Sequence, residues 1–438
     1  MYLGLDVGTT SVCAVVLDGT GKIVYTATRQ NAFGFRRAEG ERLQDADGIV
    51  SLCEEIYRET QEKFGVKCVG VSGQMHGVVY VDGNGRAASP LFSWQDERGN
   101  LPYDGTTYAA ALTKISGYPM ATGFGGTSVF YDSVNGQIPQ NAVSFCTIGD
   151  YVAMRLAEQK TPLLHETNAA SLGLYDLERH RFDQAAIERA KMPFALFPKT
   201  TSAVEQIGTT KDGVAVFTAI GDNQASVYGA EQSPDSFIVN IGTGSQISLL
   251  SDRFVKPEDG EIRPYFKGRY LVLGCALCGG YSYRLLKDFF NSAFDGEEKI
   301  TYEQMNAWAE SAFNADLPTA YTLFRGTRKD PKKRASVIGL TENNFNAQAL
   351  TLSVLKGISG ELKDFYDVLS PIVGEKSNLV AAGNAIRMNP ALRKIVEADY
   401  GKKLHIPAHK EEAAFGAALL AAETLENADF KHFIKYEA

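Results

Sequence analysis

Two Gly/Thr/Ser turns in this chain have the composition of a phosphate cradle, and an aspartate precedes only the first of them. Leu3-Gly4-Leu5-Asp6-Val7-Gly8-Thr9-Thr10-Ser11 starts as an apolar strand, turns at Gly8 and returns through the β-branched run Val12 to Leu17. Such a hairpin tip offers backbone N–H groups and the hydroxyls of Thr9 and Thr10 to an anion, with no Cβ in the way at Gly8. Asp6, just ahead of the tip, is placed to hold a divalent cation, directly or through water. The echo is Ile238-Val239-Asn240-Ile241-Gly242-Thr243-Gly244-Ser245-Gln246, where Gly242, Thr243 and Ser245 match Gly8, Thr9 and Ser11 but Asn240 replaces Asp6. A duplicated scaffold with its metal in one half accounts for the pair. Taken singly, each is also an ordinary hairpin turn.

A second set of side chains suits a polyhydroxylated ligand. Gly73-Gln74-Met75-His76-Gly77 leaves the end of an apolar strand, where α/β proteins place ligands, and Gln74 and His76 can each donate and accept. A satisfied surface histidine has the same signature. Ser93-Trp94-Gln95-Asp96-Glu97-Arg98 sets an aromatic face beside acids and a base. Trp94 would stack on a sugar's C–H surface while Asp96 and Arg98 bind hydroxyls, or the segment is a capped turn with a solvated ion pair. Ala121 to Thr127 reads as a loop and lacks the third glycine of a dinucleotide fingerprint. Asp222, in Gly221-Asp222-Asn223-Gln224-Ala225-Ser226, sits where the strand Val214 to Ile220 turns into a helix. Its position is that of an N-cap, and equally of a carboxylate that accepts a hydroxyl proton; one side chain can do both.

The elements that carry these residues repeat. Hairpin, amphipathic helix (Asp45 to Phe64), strand (Val66 to Ser72) and Gly-polar loop recur as hairpin, helix (Leu352 to Val373), strand (Leu379 to Ala382) and Gly383-Asn384. Two similar α/β domains facing each other across a cleft are expected, residues 1–230 and 231–438, linked near Ala230 to Asp235. The Ala/Leu-rich helix Glu411 to Leu425 is expected to close the second domain. A net charge of −8 argues against nucleic acid as partner, so an anionic ligand needs local donors and a metal. Six scattered cysteines, no basic-then-apolar leader and no run long enough to span a bilayer predict a soluble cytoplasmic protein with reduced thiols. Cys275-Ala276-Leu277-Cys278 reads as two core thiols at a strand end rather than a zinc or redox pair. No G-x-x-x-x-G-K-[ST] occurs, which excludes a P-loop enzyme.

Taken together, the motifs resemble the FGGY carbohydrate kinases over essentially the whole chain. The set comprises Gly73 to Val79, Trp94 to Arg98, Ala121 to Gly125, Asn168-Ala169-Ala170-Ser171 and Gly221 to Tyr228. They look most like the sedoheptulose-phosphorylating branch, with the xylulose-phosphorylating branch next. The resemblance implies two ribonuclease-H-like, actin-type ATPase domains around a central cleft, with ATP and Mg²⁺ as cofactors and a small ketose as partner. It also implies roles: Asp222 as general base, Asp6 for the metal, Thr9 and Thr10 as the first phosphate loop, and Gly242, Thr243 and Gly244 as the second. Gln74, Met75, His76, Trp94, Asp96 and Arg98 match sugar positions, and Gly383 and Asn384 lie in the adenosine segment. Ala381 stands where that segment commonly has glycine, implying altered adenine contacts or weaker nucleotide affinity. Neither nucleic acid nor membrane is expected as partner, and a homodimer is an allowed assembly. A sugar sensor that has lost catalysis and a polymerising actin-like ATPase are the rival classes; retention of Asp6 and Asp222 speaks against the first, and the Gln74–His76 and Trp94 clusters against the second.

Overall fold

Strands β1 (Tyr2–Val7) and β2 (Ser11–Leu17) pair antiparallel from Tyr2 opposite Leu17 to Val7 opposite Val12, leaving only residues 8–10 as the turn. Their apolar, β-branched residues are almost all buried, which is why the pair forms and why its register is fixed. In the computed structural model, which describes residues 1–294 and 299–437, this hairpin opens the first of two compact units. β3 (Ile23–Gln30) adds antiparallel to β2, and β4 (Cys68–Gly73) adds parallel to β1 after the helix Ala46–Phe64. That helix is capped by the Asp45 side chain on the Asp47 N–H and ended by left-handed Gly65. β5 (Gln206–Thr209), β6 (Ala215–Phe217) and β7 (Ile220–Gly221) complete the sheet, with β6 and β7 both parallel to β4. The expected single strand from Val214 to Ile220 is thus broken at Thr218, whose N–H turns away to the Glu205 carbonyl.

The second unit repeats the pattern. β8 (Ser236–Ile241) and β9 (Ser245–Ser251) form the hairpin, β10 (Tyr270–Ala276) is antiparallel to β9, and β11 (Asn378–Ala382) and β12 (Leu404–His405) continue parallel from β8. The helix Ala347–Val373 begins five positions earlier than the sequence reading because the Asn346 side chain caps it. Leu355, Ile358, Leu362 and Leu369 form its buried stripe.

The C-terminal helix Glu412–Glu426 departs from expectation: it belongs to the first unit, which comprises residues 1–229, 263–269 and 409–434. Its address is written far upstream. Gly4 and Gly70 stand opposite each other on β1 and β4, and a Cβ on them would overlap the carbonyl oxygens of Ala414 and Ala417. The helix backbone therefore lies directly on the sheet. A similar approach joins it to the helix Asp222–Ala230, where a Cβ on Gly416 would strike the Ala225 carbonyl and one on Gly229 the Glu412 carbonyl. Gly416→Val is accordingly expected to cost on the order of 1–3 kcal/mol of stability by overpacking. Scanning calorimetry would show the drop in Tm; an unchanged Tm would contradict the close crossing.

Candidate active site

The register of the first sheet sets two carboxylates at the same end of parallel strands. Asp6 on β1 lies opposite Ser72 on β4, and Ser72 lies opposite Ile220 on β7, so Asp222 emerges two strands from Asp6 and just past the strand end. Strand spacing makes that separation roughly 10 Å between backbones, close enough for the two charges to feel each other. Asp6 accepts the Ser72 hydroxyl at 2.8 Å. Burial lifts its pKa to about 6, against that hydrogen bond and with a smaller push from Glu411. Asp222 is pushed up to about 7, first by burial and then by the Asp6 charge, while the Asn223 N–H and Arg263 pull the other way. It is the first helical residue rather than the residue before the helix, and its carboxylate accepts the Asn223 N–H at 2.7 Å. Two raised carboxyls at one strand end mark a place where a base is poised near neutrality and a cation would be welcome.

Every carbonyl of the first tip is held from behind. Gly8 O accepts Asn31 Nδ2 at 3.0 Å, Thr9 O accepts Gln44 Nε2 at 2.9 Å, and Thr10 O accepts the Asn31 N–H at 2.9 Å. The Gly8 N–H is also used, donating to Ser11 O at 2.9 Å, so with its carbonyls held from behind the tip has the N–H groups of Thr9 and Thr10 and the Thr10 hydroxyl to offer an anion. Gln74 serves this frame: it is buried, accepts the Thr9 hydroxyl at 3.2 Å and donates to Gln44 Oε1 at 2.8 Å. Trp94 Nε1 donates to the same Thr9 Oγ1 at 3.0 Å, yet 46% of the residue stays exposed, leaving ring surface for a ligand. A cavity of about 530 Å³ opens beside the tip, lined by Thr9, Thr10, Arg36, Arg42, Gln44 and Gln95 among others.

His76 holds left-handed backbone, φ 73°, which is strained for a side chain of its kind and is characteristic of functional loops. Its N–H donates to Ser171 Oγ at 3.1 Å, and its Nδ1 lies 2.7 Å from Ser171 O. A carbonyl only accepts, so Nδ1 carries a proton. Phe124 stacks on the imidazole at 4.6 Å. Met75 is buried beneath the Gly221-Asp222 turn, its sulfur against Gly221, where a Cβ would come within 2.9 Å. Asp96 and Arg98 are not a solvated pair. Asp96 is fully buried and accepts Arg98 Nε at 2.7 Å and the Arg42 N–H at 3.1 Å; Arg98 Nη1 reaches Asp132 at 3.0 Å and the guanidinium lies over Phe92. The three charges form a buried network that fixes the Trp94 turn.

In the second unit the Gly242–Gly244 tip is backed in the same way. Gly242 O accepts the Gly280 N–H at 2.8 Å, and Thr243 O accepts the N–H groups of Gly279 at 2.9 Å and Tyr281 at 3.1 Å. Glycine is required at 279 and 280, since a Cβ would come within 2.5 Å of Gly244 O and 2.9 Å of Gly242 O. Gly383, at φ +90°, closes on Asn240, whose Oδ1 would meet a Cβ at 2.7 Å, and Asn384 is exposed at the start of the next helix. Ala381 faces the core and is fully buried, so its methyl has no reach toward a ligand. Cys275 and Cys278 form no disulfide; the Cys275 thiol donates to Gln246 Oε1 at 3.6 Å and Cys278 is buried. Sequence reasoning missed Asn31 and Gln44, the Gly279-Gly280 doublet and Arg263. Arg263 lies 3.5 Å from Asn223 Oδ1 and 4.0 Å from the Met75 sulfur. The doublet was visible as a signal; Arg263 had none.

Models of the N-terminal and C-terminal domains of the FGGY family of carbohydrate kinases match residues 1–231 and 238–425. Sedoheptulokinase of Mus musculus is 27% identical, over 95% of this chain and 96% of its own. Among solved structures, xylulose kinase from Rhodospirillum rubrum shares the fold with a TM-score of 0.87 at 18% identity, over 100% of this chain and 93% of that one. Plasmodium falciparum glycerol kinase with ADP gives 0.83 at 19% identity, over 100% and 92%. No helix among the described residues is long and apolar enough to cross a membrane. With two-domain, actin-type architecture and both family models matched, the chain belongs to the FGGY family of carbohydrate kinases, phosphotransferases that act on sugar hydroxyls.

Proposed function

We propose that the protein transfers the γ-phosphoryl group of ATP to a terminal hydroxyl of a ketose, and that the ketose is sedoheptulose, giving sedoheptulose 7-phosphate. The observation that carries the reaction is the pair Asp6 and Asp222, both raised by burial and the second also by the charge of the first, at one strand end beside the Gly8–Thr10 tip. Full-length similarity to the mouse sedoheptulokinase supports the substrate; the fold shared with xylulose kinase supports a pentulose as the second reading.

In this reading Asp222 accepts the proton of the attacking hydroxyl. Arg263 keeps a share of Asp222 ionised near neutrality, and the Asn223 N–H orients the carboxylate. Thr9, Thr10 and the N–H groups of the first tip receive the transferring phosphoryl group. Gly242, Thr243 and Gly244 hold the nucleotide's phosphates, and Gly383 and Asn384 border the adenosine. The His76 ring, locked by Ser171 and Phe124, presents Nε2 to a sugar hydroxyl, and the Trp94 face packs on the carbon skeleton. Gln74, Asp96 and Arg98 act on the sugar through the loops they fix. Met75 shapes the floor. The first unit, residues 1–229, 263–269 and 409–434, thus supplies sugar binding and the first phosphate loop, and the second unit the nucleotide site.

The donor set at Asp6 suits Mg²⁺ brought in with the nucleotide. No cluster of three or more metal-ligating side chains occurs among the described residues, and Mg²⁺ is held by one or two carboxylates plus phosphate oxygens and water. When bound it would neutralise phosphate charge beside Asp6. A coupled assay of ADP formation with sedoheptulose, xylulose, ribulose and glycerol tests the proposal. The highest kcat/KM is expected for sedoheptulose. Preference for xylulose would overturn the seven-carbon assignment, and preference for glycerol the ketose assignment.

A further inference from the structure

Neither phosphate tip carries a cation: no Lys or Arg occurs from Leu3 to Leu17 or from Ile238 to Gln246. A nucleoside triphosphate in a chain of net charge −8 needs fixed positive charge close by. The second unit holds a run of six cations in ten residues, Arg325 to Arg334. Two of them face away to acids, Arg328 to Glu261 and Lys329 to Asp259. Arg325 does something else. Its guanidinium lies 4.1 Å from the ring centroid of Tyr281, and that of Arg284 lies 4.8 Å from the same ring. Tyr281 is the residue whose N–H donates to Thr243 O at the tip.

The loop is moored to the same strand end. The Arg325 backbone hydrogen-bonds the Cys278 sulfur, one residue before the Gly279-Gly280 doublet that backs the tip, while the Phe324 N–H turns to Thr322 O at 2.9 Å. Gly326, at φ +70°, turns the chain there, where a Cβ would meet the Asp330 carbonyl at 2.8 Å. Stacking on a tyrosine face uses the guanidinium's π surface and leaves its fork of N–H donors in plane for oxyanions. Arg325 and Arg284 are both exposed.

We propose that Arg325, seconded by Arg284, binds the phosphate chain of the nucleotide beside the Gly242–Gly244 tip, with Tyr281 as the platform that aligns both guanidinium groups. This rests on the ATP-dependent reading above and adds to it the charge that the tips themselves lack. Cys278 is the positioning residue for the loop.

Calorimetric titration of ATP, ADP and adenosine into the full chain and its variants tests this. Arg325→Gln is expected to weaken ATP and ADP roughly 10- to 100-fold, the scale of a lost charge-assisted hydrogen bond, and to leave adenosine within about twofold of wild type. Arg325→Lys should restore part of the loss, and Arg334→Gln, whose guanidinium donates only to the Pro331 and Lys333 carbonyls among the described residues, should leave ATP affinity within about twofold of wild type. In steady state the KM for ATP should rise while the KM for sugar holds. ATP binding unchanged in Arg325→Gln would overturn the assignment, as would an equal loss for adenosine, which would mean only that the loop had shifted. Wild-type protein that bound no nucleotide would instead overturn the kinase reading, and this inference with it.

Discussion

Asp222→Asn should lower kcat by on the order of 10² to 10⁴, the span that a positioned general base contributes, while nucleotide and sugar still bind. The same substitution should stabilise the protein above neutral pH. The Asp222 carboxyl titrates near 7 in the folded chain, raised from 3.8 by burial and by Asp6. Between those two values the folded state holds a proton that the unfolded state has released, so this group's contribution to stability falls as pH rises through the window. Asparagine cannot ionise and escapes that loss. The Tm of the variant is therefore expected to gain on wild type from pH 4 toward pH 8, where the stability assay is run alongside kcat. Wild-type kcat should fall on the acid side of about pH 7 as the base is protonated. A variant with near-normal turnover, or one less stable than wild type at pH 8, would remove Asp222 from the role given to it.

Arg98→Ala is the substitution expected to damage the fold most. Arg98 stands between two buried carboxylates, Asp96 at 2.7 Å and Asp132 at 3.0 Å, and covers the Phe92 ring at 3.8 Å. Asp132 is already lifted to about 6 by burial, with Arg98 and the Tyr80 hydroxyl holding it down. Without the guanidinium, two carboxylates face one another with no cation between them. Breaking a buried ion network by removing one partner costs about 3–5 kcal/mol, far above the figure for a surface pair. Urea denaturation would measure it. The Trp94 turn hangs on this network, so the KM for sugar should rise in whatever fraction remains folded. A loss below about 1 kcal/mol would mean that the network is as replaceable as a solvated ion pair.

The hairpins, the helix Ala46–Phe64 and the parallel strands after it were legible because their signals are local: β-branched runs, a 3.6-residue stripe, an N-capping aspartate. So was the twofold repeat, since it needs only the same order of elements twice. The C-terminal helix was misplaced because what fixes it is not in it. The glycine pair Gly4 and Gly70, more than three hundred residues upstream, opens the space that Ala414 and Ala417 fill. Polar side chains posed the same difficulty in another form. Gln74, Asp96 and Arg98 have the types that grip a sugar, but the same types satisfy one another when buried, and only the fold shows that Gln74 braces Thr9 and that Arg98 is shared by two acids. Ala381, in the place where glycine is common, implies altered adenine contacts in sequence and instead faces the core. Arg263 and Arg325 acquire meaning only from neighbours distant in sequence, Asn223 for the one and Tyr281 for the other.

The central claim is that a sugar hydroxyl, its proton taken by the carboxylate of residue 222, attacks the terminal phosphorus of ATP. Sedoheptulose carrying ¹⁸O in its terminal hydroxyl, incubated with ATP and the full chain, reads this out by mass spectrometry. The account predicts that the ¹⁸O is retained in the C–O–P bridge of the phosphorylated sugar and that Asp222→Asn forms that product far more slowly while still binding ATP. Release of inorganic phosphate without labelled sugar phosphate, or equal product from the variant, would contradict it.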